Sequence, residues 1–352
     1  MKTKTTQIRS GLLYFYVHFV TEVLCFFLLG RYTGDGVTLW LIPLAYDMLA
    51  FVPQSLIGAI HDRFGKLPLG MIGLGMMAGA IGLFPLLRTP WLSLVLLCIG
   101  NGCTHVAGAE ATLRASDGSL SPAAIFVSGG SFGVITGRLL SKTAMPGWPL
   151  TVLALTAVPF CLLAREDRLD ADRRSAHPCT AFRYHDPKLP PAVIVLLSVM
   201  IVAVRGYMGY GIPTSWNKTT AQTVLLFVTM GVGKAAGGIL ADRFGVRRTA
   251  MASAALALPF LLCGDRVMLV SLVGVMLFSM TMSITLALLV SVLPGAPGLA
   301  FGLTTIGLFL GTVPIFFFKF TSVAANCTVI AVLTAVCLAA MHFVLRRDRP
   351  HA

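Results

Sequence analysis

The chain has 352 residues, of which 56% are apolar and only 12% charged, whereas a soluble globular domain carries roughly 25% charge. A soluble enzyme is excluded by run length: its buried strands are short, and the apolar runs here repeatedly reach the roughly 20 residues that span a bilayer. A net charge of +13 would suggest a nucleic-acid partner on a soluble protein, but the basic residues sit mainly between apolar runs, so they report topology and no nucleic acid is expected.

The N-terminal stretch MKTKTTQIRS leads directly into the run 11–30. That run is too long for a signal-peptide core, so it is expected to be retained as the first span. Further runs follow at 37–60, 67–87, 91–110, 121–140 and 147–164, then at 190–212, 219–240, 249–264, 267–290, 297–319 and 323–345. Inside hydrocarbon the backbone must satisfy its own hydrogen bonds, which makes these runs helices. The strict apolar alternation of a membrane barrel is absent. The expected fold is an all-α membrane protein with twelve transmembrane helices in two six-helix bundles, 1–164 and 190–352. The polar stretch 165–189 between them is too short and too poor in apolar residues to build a core, and reads as a linker.

With twelve spans both termini share a side. That side, together with 165–189, holds 18 of the 27 Lys and Arg residues, and the opposite side holds six. The excess predicts a multi-pass cell-membrane protein with both termini in the cytoplasm. The remaining three, Arg138, Arg205 and Lys234, fall inside spans. The eight Cys residues lie mostly within spans without a CxxC pair, and read as small packing residues.

Two segments match. GAIHDRFGK occupies 58–66 and GILADRFGVRR occupies 238–248, each after the second span of its half. A repeat at equal depth in both halves argues for two related bundles about an axis normal to the membrane. Gly58 and Gly238 permit close helix approach. Gly65 and Gly245 permit a tight turn. Asp62 and Asp242 are expected near the start of the next helix, where a carboxylate suits the dipole. Arg63, Lys66, Arg243, Arg247 and Arg248 can bridge to helix ends and anionic lipid headgroups. Together these residues form an expected gate.

The paired Gly-x-x-x-Asp-Arg-Phe-Gly pattern, the twelve spans and the central loop resemble the major facilitator superfamily. The resemblance covers the whole chain and implies secondary transport of a small solute by alternating access. The first copy departs from the pattern, with Leu67 after Lys66 in place of a second basic residue. In the fifth span Gly129, Gly133 and Gly137 form a packing stripe. The stripe resembles the antiporter glycine motif of the superfamily, with Arg138 in place of the usual Pro. Together with GNGCTHVAG at 100–108 it also resembles fosmidomycin-resistance-type exporters, although His105-Val106 stands where a His-Pro pair is typical.

Ionisable residues within spans are costly and default to functional candidates. His18 and Glu22 lie one turn apart, as do Asn101 and His105, while Asp47 sits in the second span. Glu22, His18, Asp47 and His105 are the expected proton carriers, with helix-to-helix hydrogen bonding as the alternative. Arg205, Lys234 and Lys319, with Asn101 and Tyr207, are the expected substrate contacts, because buried cations suit a carboxylate or phosphate. Basic residues in the eighth and eleventh spans resemble the arrangement in oxalate–formate exchangers. His18, Glu22, Asp47, His105, Cys25 and Cys103 include metal-ligand types without a spacing that demands a metal, so no metal site is assigned. No Walker A motif is present, so no ATP drive and no cofactor is expected.

The expected function is therefore non-enzymatic: proton-coupled transport of a small organic anion by a chain acting as a monomer among membrane lipids, with symport preferred. The alternatives are a drug or metabolite exporter by proton antiport, a transition-metal carrier, and a channel or non-transporting receptor.

Overall fold

The computed structural model describes residues 4–32, 36–65, 67–86, 90–174, 178–318 and 322–346. The first half comprises α1 (Lys4–Leu29), α2 (Gly36–Phe51), α3 (Pro53–Phe64), α4 (Leu69–Leu83), α5 (Trp91–Ala115), α6 (Ser121–Ser141) and α7 (Trp148–Arg174). The second comprises α8 (Pro191–Gly211), α9 (Thr220–Phe244), α10 (Val246–Cys263), α11 (Met268–Ser279), α12 (Met282–Val292), α13 (Pro297–Phe317) and α14 (Val323–Val344). By length and hydropathy they supply twelve membrane spans among the described residues. Two spans are built from two helices each.

The second span breaks between α2 and α3, where Pro53 supplies no backbone donor. The carbonyl of Phe51 at this break accepts from the Thr305 hydroxyl of α13 at 2.9 Å. The tenth span breaks at Met280–Thr281, between α11 and α12. There the Phe278 carbonyl accepts from Thr281 Oγ1 at 3.2 Å and from Arg205 at 2.7 Å. Broken spans persist in lipid only where protein groups take over the freed backbone, and both breaks meet that condition across helices.

α1 packs on α4, α5, α6 and α7 of its own half, and α8 packs on α12, α13 and α14 of the other. The α1–α6 seam is the most extensive, and Gly129, Gly133 and Gly137 line it. A Cβ on these residues would strike the backbone oxygens of Phe15, Phe19 and Val23 respectively. The halves meet along α6 against α9 and along α13 against α2, α3 and α5. The helix contacts are those of two related six-helix bundles.

The polar stretch 165–189 begins as helix. α7 runs into it as far as Arg174, held to the first half by Arg9–Asp167 (3.4 Å) and Arg168–Glu110 (3.1 Å). The rest ties the two halves together. Tyr184 donates to the Gly118 carbonyl at 2.5 Å, Arg346 N donates to the Tyr184 carbonyl at 2.8 Å, and His185 meets Ser291 Oγ at 2.9 Å. Burial holds the His185 imidazole below its ordinary basicity.

Candidate functional site: a paired latch and an asymmetric centre

At the end carrying the termini, here the basic end, both repeated aspartates join the halves. Asp62 closes α3 and accepts from Gly298 N (3.0 Å) and Leu299 N (2.8 Å) at the start of α13, with Arg114 at 3.4 Å. Asp242 closes α9 and accepts from Leu120 N (2.7 Å), Ser121 N (2.8 Å) and the Ser119 and Ser121 hydroxyls (both 2.5 Å) at the start of α6. This corrects the sequence expectation: neither aspartate serves the next helix. Each caps a helix of the opposite half, where free N–H groups and the dipole favour a carboxylate.

Gly58 is in backbone contact with Gly298, and Gly238 presses on Ala124 and Leu120. Gly65 and Gly245 follow the two helix ends with positive φ of 20° and 96°. Arg247 donates to the Leu345 carbonyl at 2.6 Å and reaches His342. Arg63 and Arg243 are exposed and lie over the rings of Phe64 and Phe244. Lys66 lies outside the described residues.

Behind Asp62 sits a charge cluster that sequence reasoning missed. Glu110 is fully buried, with His61 Nδ1 at 2.8 Å from one oxygen and Arg168 at 3.1 Å from the other. Arg114 links Asp62 to Asp172 at 3.1 Å. The available signal was the one-turn spacing of Glu110 with Arg114 and of Arg168 with Asp172.

Deeper in the first half the two one-turn pairs converge. His18 and Glu22 on α1 meet His105 on α5: His105 Nε2 is 2.9 Å from His18 Nε2 and 3.3 Å from Glu22 Oε1, and His18 Nε2 is 3.6 Å from the same oxygen. Gly130 leaves room for the His18 ring, and Phe301 of the second half stacks on His105. The other ring nitrogens are committed. His18 Nδ1 is 2.9 Å from the Phe126 carbonyl, and His105 Nδ1 is 3.0 Å from the Asn101 carbonyl. Carbonyls only accept, so each Nδ1 carries hydrogen and each neutral ring turns an Nε2 lone pair toward the carboxylate. Two lone pairs and a carboxylate facing inward form a cation-seeking pocket.

Asn101 is fully buried and directs its amide to Cys25 Sγ (3.4 Å) and Tyr46 (3.3 Å) inside the first bundle. Asp47 stands apart from the triad, against the Thr312 hydroxyl of α13.

The second half places cations opposite. Arg205 on α8 spends one donor on Phe278 and lies over that ring at 4.8 Å. Lys234 on α9 lies within electrostatic reach of both Glu22 and Arg205. Arg138 lies between the rings of Phe26 and Phe227, bridging α1 and α9. Tyr207 faces elsewhere: it lines an apolar groove of about 760 Å³ between α8, α13 and α14. Lys319 lies outside the described residues.

No family model matches the chain, and no curated protein matches it. Solved structures do. The chain is similar to the human organic anion transporter MFSD10 (TETRAN), with 17% identity over 97% of this chain and 100% of that one and a TM-score of 0.68. It is similar to FucP, a major facilitator superfamily transporter in the outward conformation, at 14% identity, 97% and 98% coverage and TM-score 0.63. A variant of the E. coli fucose:proton symporter FucP matches at 17% identity, 96% and 99% coverage and TM-score 0.61. The chain thus has the fold of these major facilitator superfamily structures.

Proposed function

We propose that the protein is a secondary transporter that moves a small organic anion by alternating access, with a proton as the co-transported cation. One observation carries the reading: Lys234 of the second half lies in electrostatic reach both of Glu22 in the first-half triad and of its own neighbour Arg205. Lys234 has no hydrogen bond or ion pair among the described residues, and Arg205 uses only one of its donors on the protein. A carboxylate bound between them would compensate two half-buried charges of the second half. Organic-anion transport and solute:proton symport both occur on this fold among the similar structures.

In this reading the two aspartate caps hold the basic end shut, and transport requires both to release. The excess of Lys and Arg supports a cytoplasmic location for that end. The anion site consists of Arg205 and Lys234, and the cation sits in the triad, with Asp47 as the rival carrier. The test is counterflow in reconstituted vesicles across a solute panel. Carboxylates should compete and neutral solutes should not. Competition by neutral or cationic solutes alone would remove the anion assignment. Impermeant cysteine labelling within 178–189 should succeed only from the cytoplasmic face; labelling from outside would reverse the sidedness.

A further inference from the structure

We propose that the His18–Glu22–His105 triad is also a binding site for one divalent transition-metal ion of the Zn2+ class. The geometry points to it in three ways. First, the ligand atoms are free for a metal. Both Nδ1 atoms are engaged by backbone carbonyls, of Phe126 and Asn101, which is the outer-shell arrangement that orients metal-binding imidazoles and fixes the tautomer. Second, the spacing fits. The three atoms form a triangle with sides of 2.9, 3.3 and 3.6 Å. A point equidistant from its corners lies about 1.9 Å from each, and an ion raised roughly 0.7 Å above that plane meets all three at the 2.0–2.1 Å typical of Zn–N and Zn–O bonds. Third, a metal satisfies what a proton cannot. A single proton bridges one pair of the three acceptors. The carboxylate oxygen stays 3.3 and 3.6 Å from the two rings, longer than a charge-assisted hydrogen bond of about 2.7–2.9 Å. One ion would take both lone pairs and the carboxylate together.

Two imidazoles and one carboxylate select Zn2+, Co2+, Ni2+ or Fe2+ over Mg2+ and Ca2+, which prefer all-oxygen sites. Three protein ligands capping one face leave an open position, as in metal sites that exchange a ligand. His18 and Glu22 are each 8% exposed, so the pocket is sheltered without being sealed. The positive charge of Lys234, in reach of Glu22, opposes a second cation.

The experiment is equilibrium binding of Zn2+ alone to the purified full chain in detergent, with Mg2+ as the comparison. It measures no transport, so its outcome is independent of the anion reading. The expected result is one Zn2+ per chain, no matching Mg2+ uptake, and at least tenfold weaker binding in His18→Gln, His105→Gln and Glu22→Gln. Lys234→Gln should bind at least as tightly as the unsubstituted protein. His105→Cys guards against misfolding as an explanation: it should retain Co2+ and show a new thiolate-to-cobalt charge-transfer band in the near ultraviolet. Absence of stoichiometric Zn2+, binding unchanged by the triad substitutions, loss of Zn2+ binding in a folded Lys234→Gln, or a folded His105→Cys protein without the cobalt band would each overturn the site.

Discussion

The latch at the basic end and the centre at mid-depth are organised on opposite principles. The latch is symmetric: Asp62 reaches from α3 to the start of α13, and Asp242 reaches from α9 to the start of α6, each crossing from its own half to the other. The centre is asymmetric, with two imidazoles and a carboxylate in the first half and two unneutralised cations in the second. The repeat accounts for the first, because the same motif in each half reaches the same kind of helix start in the other. Chemistry explains the second, because a cation and an anion need different surroundings. In the proposed transport cycle the repeated residues would then mark where the chain moves, and the unrepeated ionisable residues what it binds.

The largest effect is expected at the centre. Glu22→Gln keeps a polar side chain of similar size while removing the charge that faces both imidazoles. Transport driven by a pH gradient should fall to background in vesicles, while counterflow of the same solute survives. Retained gradient-driven uptake at equal protein level would move the proton to Asp47 or remove it from the cycle, and with it the asymmetry argued above.

Next come the cations. Arg205→Gln and Lys234→Gln should each weaken anion binding about 10- to 100-fold, matching the roughly 1.5–3 kcal/mol of a charged hydrogen bond. Arg205→Lys should recover only part of the loss, because the ammonium cannot make the planar two-point contact. Equal loss of binding for anionic and neutral solutes would instead indicate that the substitutions disturb the Phe278 break.

The division between latch and centre also governs what was legible in the sequence. The spans were readable because hydropathy and length are local properties. The break at Pro53 lies inside an apolar run, and the break at Met280–Thr281 carries no proline or glycine to mark it. The one-turn pairs His18/Glu22 and Asn101/His105 were visible from helical spacing. Their meeting was not, since it depends on α1 and α5 lying against each other. The glycine stripe in the fifth span announced close packing without naming α1 as the partner. The repeated aspartates were found, but their targets lie far along the chain, beyond what any local pattern encodes: Asp62 caps residues 298 and 299, and Asp242 caps 120 and 121. Glu110 passed unnoticed because it closes an apolar run, where a charge is unremarkable; its burial between His61 and Arg168 comes from tertiary packing.

The smallest effect, and the one that tests the symmetry itself, comes from the two latch aspartates. Asp62→Asn and Asp242→Asn remove the same charge from the same motif, yet their partners differ. Asp62 faces donors that cannot change role: the backbone N–H groups of Gly298 and Leu299 and the guanidinium of Arg114. An asparagine there must turn its own NH2 toward a donor, leaving one bond unmade and Arg114 held only by Asp172 and Glu110, at a cost of about 1–3 kcal/mol. Asp242 instead faces two serine hydroxyls besides its two backbone donors. With the asparagine NH2 on the side of the two hydroxyls, these can rotate to accept from it, so only the bond from Ser121 N is left unmade and no guanidinium loses its counter-charge. Transport should therefore fall several-fold in Asp62→Asn and less than twofold in Asp242→Asn, with both proteins inserted at normal abundance. Thermal stability should drop in the same order. Equal losses would show that charge alone sets the latch, and a larger loss in Asp242→Asn would make the α6 cap the controlling half.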